Sequence, residues 1–241
     1  MLVEVCVASL SSICNAEQAG ADRIELCSAL EVGGLTPSAG FIKEAVGLNS
    51  LPIHCLIRPR QGHFYFSKEE IKIIESNIQF AADAGCSGVV LGAHNTEFKL
   101  DYSLLKKWKE LAGEMYCTFH RAFDVLVEPE QALEQLIDLG FDCVLTSGQF
   151  EKAEEGFENL NKWNTQYGQH ITIMPGSGVS IENCLMFKQA EFKALHLSGS
   201  SECPPLVLPD GVNQSLSFLN QPLRESNTEV LKKFVQKVKT S

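Results

Sequence analysis

The sequence lacks the close cysteine pairs, long apolar runs and basic charge that mark several common protein classes. Its nine cysteines are an odd number without Cys-x-x-Cys spacing, which indicates reduced thiols in the cytosol rather than a disulfide framework. No apolar run approaches the roughly 20 residues that span a bilayer. The N-terminus has no basic stretch followed by an apolar core, so no secretory signal is expected. These absences predict a cytoplasmic protein without a membrane partner.

Positive charge is also scarce. The formal net charge is −10 at pH 7, and an acidic surface of this size argues against nucleic acid as a partner. The lysines of "KKWKE" and "LKKFVQKVK" follow predicted helix faces, where they are solvated. What the chain does have is the composition of an ordinary globular protein, with 44% hydrophobic and 21% charged residues.

One junction recurs along the chain. "EQAGADRIELC", "AADAGCSGVVLG" and "IDLGFDCVLTSG" each lead from a helix end, through glycine, into a continuous apolar run. Such runs are typical of buried parallel strands. The pattern predicts strands at 2–7, 22–27, 52–58, 87–92, 115–120, 141–146, 170–175 and 193–198. It predicts helices at 11–19, 37–47, 68–84, 101–111, 129–139, 151–166, 180–189 and 228–238.

Eight strands that alternate with eight helices predict a (β/α)8 TIM barrel, formed as a single domain over residues 1–241. Ser67, with Glu70 three residues later, fits a capping box, and Ser180 fits a second N-cap. Residues 199–227 are predicted to be a long irregular segment before the terminal helix at 228–238. A doubly wound open sheet is the alternative, but the first strand lacks a G-x-G-x-x-G turn.

Polar residues cluster at the predicted carboxyl ends of the strands, the face where TIM barrels carry their chemistry. A polar pocket at this mouth is therefore expected. The residues concerned are Arg58, Arg60 and His63 after strand 3, His94 after strand 4, His120, Arg121 and Asp124 after strand 5, Thr146, Ser147 and Gln149 after strand 6, Gly176, Ser177 and Gly178 after strand 7, and His196, Ser198 and Gly199 after strand 8.

A Glu-x-Cys unit occurs in each of the first two strands, as Glu4-Val5-Cys6 and Glu25-Leu26-Cys27. Side chains two residues apart lie on the same face of a strand. Because strands 1 and 2 are neighbours in a barrel, the two units are expected side by side at similar height, facing the mouth.

These segments resemble the CutC copper homeostasis protein family. The likeness rests on "EVCVAS", "GADRIELCSALEVGGLTPS", "IRPRQGHFYFS", "TFHRAFD", "GFDCVLTSGQ" and "PGSGV", and it covers roughly residues 1–200. The resemblance implies a cytosolic TIM barrel, often a homo-oligomer (a dimer or tetramer), with a suggested role in copper handling. It also implies that the thiols at Cys6 and Cys27 match the pair proposed to bind Cu(I) in relatives.

Two main hypotheses follow. In the first, Cys6 and Cys27 bind Cu(I), a soft ion that prefers thiolates. In the second, the barrel is an enzyme acting on a small phosphorylated or carboxylated substrate. A non-catalytic binding or scaffold protein is a third alternative.

The enzyme hypothesis assigns roles to the mouth residues. His120 is the first acid–base candidate and His196 the second, while Glu4 and Glu25 orient groups or share protons. Buried carboxylates need partners, and Arg58, Arg60 or Arg121 are expected to supply them. The ligand-binding set adds Asp124, Thr146 and Ser147. Gly176, Ser177, Gly178, Ser198 and Gly199 would form a phosphate cradle after strands 7 and 8.

Overall fold

The computed structural model describes residues 1–48, 51–219 and 221–240, and strands and helices alternate along them. The strands are β1 (Leu2–Val7), β2 (Arg23–Leu26), β3 (Ile53–Leu56), β4 (Gly88–Leu91), β5 (Tyr116–Phe119), β6 (Cys143–Thr146), β7 (Thr172–Pro175), β8 (Ala194–Leu197), β9 (Ser200–Glu202) and β10 (Arg224–Ser226). The helices are α1 (Leu10–Ala19), α2 (Ala39–Leu48), α3 (Lys68–Asp83), α4 (Tyr102–Ala112), α5 (Pro129–Asp138), α6 (Phe157–Tyr167), α7 (Cys184–Gln189) and α8 (Thr228–Thr240).

The first eight strands form one parallel sheet in the order β7-β6-β5-β4-β3-β2-β1-β8. The edge strands β7 and β8 contact each other, so the sheet curls into a nearly closed barrel. The predicted TIM barrel is confirmed, and the doubly wound alternative is wrong.

The main hydrophobic core lies between the barrel wall and the helices. Val3, Val5 and Val7 of β1 point outward into this layer, which explains why the strands have continuous apolar sequences apart from their inward-facing positions. The largest buried side chains of the layer include Trp108 of α4 and Trp163 of α6. The inward positions carry the buried polar groups together with two small apolar clusters, one of which contains Leu145 and Met174.

The helix starts follow local capping chemistry. Ser67 caps α3: its side chain accepts a hydrogen bond from Glu70 N, and the Glu70 side chain accepts one from Ser67 N, which confirms the predicted capping box. At the other end of α1, Gly20 has a φ of 84° and ends the helix in a left-handed conformation.

Two predicted helix starts are wrong. Residues 151–156 form turns, and α6 begins only at Phe157. Helix α7 begins at Cys184 rather than 180, and its N-cap residue is Asn183, so the predicted cap at Ser180 is wrong. The Asn183 side chain accepts a hydrogen bond from Ser180 N, and a turn precedes the helix. The segment 199–227 is partly regular, since β9 and β10 pair antiparallel at its two ends. Asn220 of this segment lies outside the described residues.

In the described parts of the chain, no helix combines the length and apolar character needed to cross a membrane.

Candidate metal and ligand site at the barrel mouth

The two Glu-x-Cys units are staggered rather than level. In the register of β1 and β2, Glu4 lies opposite Arg23 and Cys6 lies opposite Glu25. The expectation of equal height is therefore wrong by two residues. Barrel closure requires a shear between neighbouring strands, and here that shear brings the thiol of one unit beside the carboxylate of the other.

This stagger builds a cluster of three unlike side chains. Cys6 of β1, Glu25 of β2 and His196 of β8 each offer a ligand atom, and these atoms lie within 4.8 Å of one another. All three residues are buried. The cluster forms because β8, β1 and β2 are adjacent in the sheet. A thiol, an imidazole and a carboxylate at this spacing can hold a metal ion.

Glu4 lies below the cluster and orients its histidine. One carboxylate oxygen of Glu4 accepts a 2.5 Å bond from Nε of Arg23, and the other lies 2.8 Å from Nδ1 of His196. Burial raises the pKa of Glu4, but Arg23 and His196 outweigh it and lower the pKa to about 2. Glu4 is therefore an anion at neutral pH, so Nδ1 of His196 is the donor and Nε2 faces the cluster.

The expected partners of Glu4 were Arg58, Arg60 or Arg121, and that prediction is wrong. Its partner is Arg23, which is 5% exposed, contacts Sδ of Met174 and lies over the Tyr116 ring. Arg23 alternates with Glu25 and Cys27 along β2, so the period of two that identified the other inward residues also pointed to this one.

Burial and neighbouring charges shift the pKa values of the cluster. Burial lowers the pKa of His196, but Cys6, Glu25 and Glu4 together raise it well above its usual value. Burial is also the first cause that raises the pKa of Glu25. Burial and the neighbouring Glu25 carboxylate raise the pKa of Cys27 as well. Cys27 thus stays a thiol at neutral pH, and its Sγ donates to Glu25 Oε2 over 3.3 Å.

Cys27 lies beside the three-residue cluster, in a small apolar group that also contains Cys6, Leu56 and Val90. The predicted thiol pair therefore shares one region of the barrel interior. The sequence did not indicate that Cys6 would lie as close to Glu25 and His196 as it does.

Arg58 and Arg60 tie the loops of the rim together. Nη1 of Arg58 donates to the carbonyls of Val32 and Gly34, and its Nη2 donates to that of Gly62. Arg60 forms a 2.6 Å ion pair with Glu70 and also donates to the carbonyls of Gln61, His63 and Tyr65. These bonds fix the loop between β3 and α3.

Asp124 organises the loops after β5 and β6. Its carboxylate pairs with Nε of Arg121 at 2.7 Å and accepts hydrogen bonds from the hydroxyls of Thr146 and Ser147 and from two backbone N–H groups. The neighbouring His120 has a different partner, since its Nδ1 accepts a hydrogen bond from Ala122 N at 3.1 Å.

Several residues of the predicted phosphate cradle already contact other parts of the chain. Ser177 Oγ donates to the Glu151 carbonyl, and its own carbonyl accepts from Ala153 N. Ser177 and Gly178 both have a φ of 72°. Gly199 lies against Leu231 of α8, and the Ser198 hydroxyl pairs with that of Ser200. Gly176 N donates to the Thr146 carbonyl, which joins β7 to β6.

Fold and site together define a parallel α/β barrel with a buried thiol–imidazole–carboxylate cluster at its mouth. The family model of the CutC family matches residues 1–201, and the chain belongs to that family. It is 42% identical to a family protein CutC of Pasteurella multocida over 200 residues, which cover 83% of this chain and 82% of the relative.

Solved structures are similar to this chain in fold. A crystal structure from Streptococcus agalactiae, described as a candidate copper homeostasis protein CutC, is 30% identical with a TM-score of 0.78 and covers 82% of this chain and 98% of its own. KGPDC from Streptococcus mutans has a TM-score of 0.62 at 11% identity, covers 99% of this chain and 97% of its own, and shows the fold alone.

Proposed function

We propose that this protein takes part in copper homeostasis by binding Cu(I) at the barrel mouth, with copper as cargo. The name of the Streptococcus agalactiae relative supports the copper role. The observation that carries the proposal is the convergence of Cys6, His196 and Glu25 within 4.8 Å, with a second thiol at Cys27 next to Glu25.

The donor set fits the ion. Cu(I) prefers soft thiolate ligands and accepts imidazole, while a carboxylate is a harder donor. Cys6 and His196 are therefore the first ligands in this proposal, and Cys27 is the second thiolate. Glu4 orients His196 through the Nδ1 nitrogen, as carboxylates often do for metal-binding histidines. Arg23 in turn holds Glu4.

Glu25 has a different role in this proposal. Its carboxylate accepts the Cys27 thiol proton at 3.3 Å and lies 3.7 Å from Nε2 of His196. A thiol must lose its proton to bind a metal. Because burial raises the pKa of Glu25, this carboxylate can retain the proton that Cys27 releases inside a water-poor site.

The test is an anaerobic titration of reduced, metal-free protein with Cu(I) against a competing chelator. Wild type is expected to bind one Cu(I) per chain tightly, and Cys6→Ser is expected to lose that site. Cys27→Ser should weaken it. Cys117→Ser is the matched control, because Cys117 is a buried thiol that packs in the outer core. Equal binding by wild type and Cys6→Ser would overturn the proposal.

A further inference from the structure

Arg58 is a buried cation without a carboxylate partner. It is 6% exposed, and its three hydrogen bonds all go to backbone carbonyls. In residues 1–48, 51–219 and 221–240, no acidic side chain forms a salt bridge with it. Its Nε–H is also buried without an acceptor there. A buried charge without a partner of opposite charge destabilises the protein, so a bound anion would stabilise this arrangement.

The other two arginines of the mouth differ from Arg58. Arg60 is paired with Glu70 and Arg121 with Asp124. Their charges are already balanced by carboxylates. Of the three arginines predicted to bind an anion, Arg58 is therefore the one whose charge is still uncompensated within the described residues.

His120 supplies a second donor without an acceptor. It is 4% exposed, and its Nδ1 accepts the hydrogen bond from Ala122 N. Burial and the charge of Arg58 lower the pKa of His120 to about 3, so the ring is neutral and carries its proton on Nε2. That Nε2–H is buried, and nothing in the described chain accepts its hydrogen bond. Buried donors normally have partners.

The side chains of Arg58 and His120 both pack against the ring of Phe64. The Phe64 ring lies 5.0 Å from the guanidinium carbon of Arg58 and 4.7 Å from the centre of the His120 ring. Gly92 leaves space for the imidazole, because a Cβ there would lie 2.7 Å from Nδ1 of His120. Leu56, two residues before Arg58, and Val90, two residues before Gly92, belong to the apolar group that contains the two thiols.

We propose that Arg58 and His120 form a binding site for an oxyanion beneath Phe64, and that its ligand is a small organic acid carrying a carboxylate or phosphate group. The guanidinium compensates the charge and the imidazole Nε2–H donates to an oxygen. Leu56 and Val90 provide an apolar surface for the body of the ligand. This proposal does not depend on the copper proposal, because it uses neither the thiols nor His196.

The test uses metal-free protein labelled with ¹⁵N-histidine, whose ring nitrogens are observed by NMR during titration with inorganic phosphate, acetate or chloride. The His120 signal is assigned from its absence in His120→Asn. We expect phosphate or acetate, but not chloride, to shift this signal in a saturable way, while exposed His170 stays unchanged. A shift with phosphate alone assigns the phosphate class, and one with acetate alone the carboxylate class.

Variants separate a built site from general charge effects. Arg58→Lys keeps the charge but loses the planar fork, so it should weaken binding about tenfold or more, an energy in the range of a charge-assisted hydrogen bond. Arg224→Lys changes an exposed arginine paired with Glu202 and should bind like wild type. Folding of each variant is checked by circular dichroism. The proposal is overturned if neither anion shifts His120 in folded wild type, or if folded Arg58→Lys binds as tightly.

Discussion

At the scale of single residues, the barrel interior contains charges that are buried but not equally paired. Glu4 is fully buried and has two partners, Arg23 and His196. Arg58 is nearly as buried and has carbonyl partners only. The charge of Glu4 is therefore balanced within the described residues, whereas that of Arg58 is not.

Removing the ion-pair partner of Glu4 should strongly destabilise the protein. Arg23→Met leaves Glu4 with a buried charge supported mainly by His196, and we expect a loss of about 3–5 kcal/mol in the free energy of unfolding. Lys162→Met removes an exposed ion pair with Glu130 and should cost less than about 1 kcal/mol. Urea denaturation of both variants measures the difference, and equal losses would contradict the role given to Arg23.

His120 should make stability depend on pH in acid. The unfolded pKa is near 6.5, whereas the native pKa is about 3. Between these values the unfolded chain binds a proton that native His120 does not, so stability falls as the pH drops from 6.5 towards 3. The slope is about 1.4 kcal/mol per pH unit at full separation.

The comparison variant for this pH effect is His120→Asn, which lacks the titrating group. Its stability relative to wild type should improve steadily as the pH falls below 6.5, as measured by urea denaturation at a series of pH values. A difference that stays constant over this range would show that His120 titrates alike in both states.

At the scale of the elements, α3 and the loop before it act together. Glu70 completes the capping box with Ser67 and also holds Arg60, which in turn binds three carbonyls of the loop that carries Phe64. The start of this helix therefore helps to position Phe64 over the proposed anion site.

Ser67→Ala should destabilise the protein by about 0.5–2 kcal/mol, the usual cost of losing an N-cap. Ser76→Ala is the matched control, since Ser76 is exposed in the middle of α3 and alanine favours a helix interior. Thermal or urea unfolding compares the two. Should Ser67→Ala be as stable as Ser76→Ala, the cap would have no energetic importance.

The sequence predicted the fold well because strand and helix periodicity are local properties. It predicted Glu4, Cys6, Glu25, Cys27 and His196 as mouth residues for the same reason. It did not predict which of them meet, because the shear of β1 against β2 is a property of the closed barrel. Arg23 was missed as the partner of Glu4, although its position on β2 was within reach of the same argument.

At the scale of the whole molecule, a long segment, here called the arm, joins β9 to β10. Residues 203–219 and 221–223 lie between β9 and β10, beyond the part that the family model matches. Four apolar side chains of this arm are more than two thirds exposed, namely Leu206, Val207, Phe218 and Leu223. Exposed apolar residues are typical of contact surfaces when they form a patch, and the homo-oligomer stays a prediction.

We expect the wild-type chain to be a dimer or tetramer by size-exclusion chromatography with light scattering. A variant in which a short Gly-Ser linker replaces residues 204–222 should form smaller assemblies yet keep the barrel's circular dichroism spectrum. The control is Leu231→Ala. Leu231 is a fully buried residue of α8, so this substitution should lower the free energy of unfolding by about 2–5 kcal/mol. An unchanged assembly in the shortened variant would exclude the arm as the contact.

Gly34 connects the two proposed sites. With a φ of 82°, it gives its carbonyl to Arg58 at 3.0 Å, and a Cβ added to it would lie 3.6 Å from Sγ of Cys27. One backbone residue therefore accepts a hydrogen bond from the cation of one site and lies near the sulfur of the other. If occupancy of either site moves Gly34, the two ligands become thermodynamically linked, and each must then change the affinity for the other by the same factor.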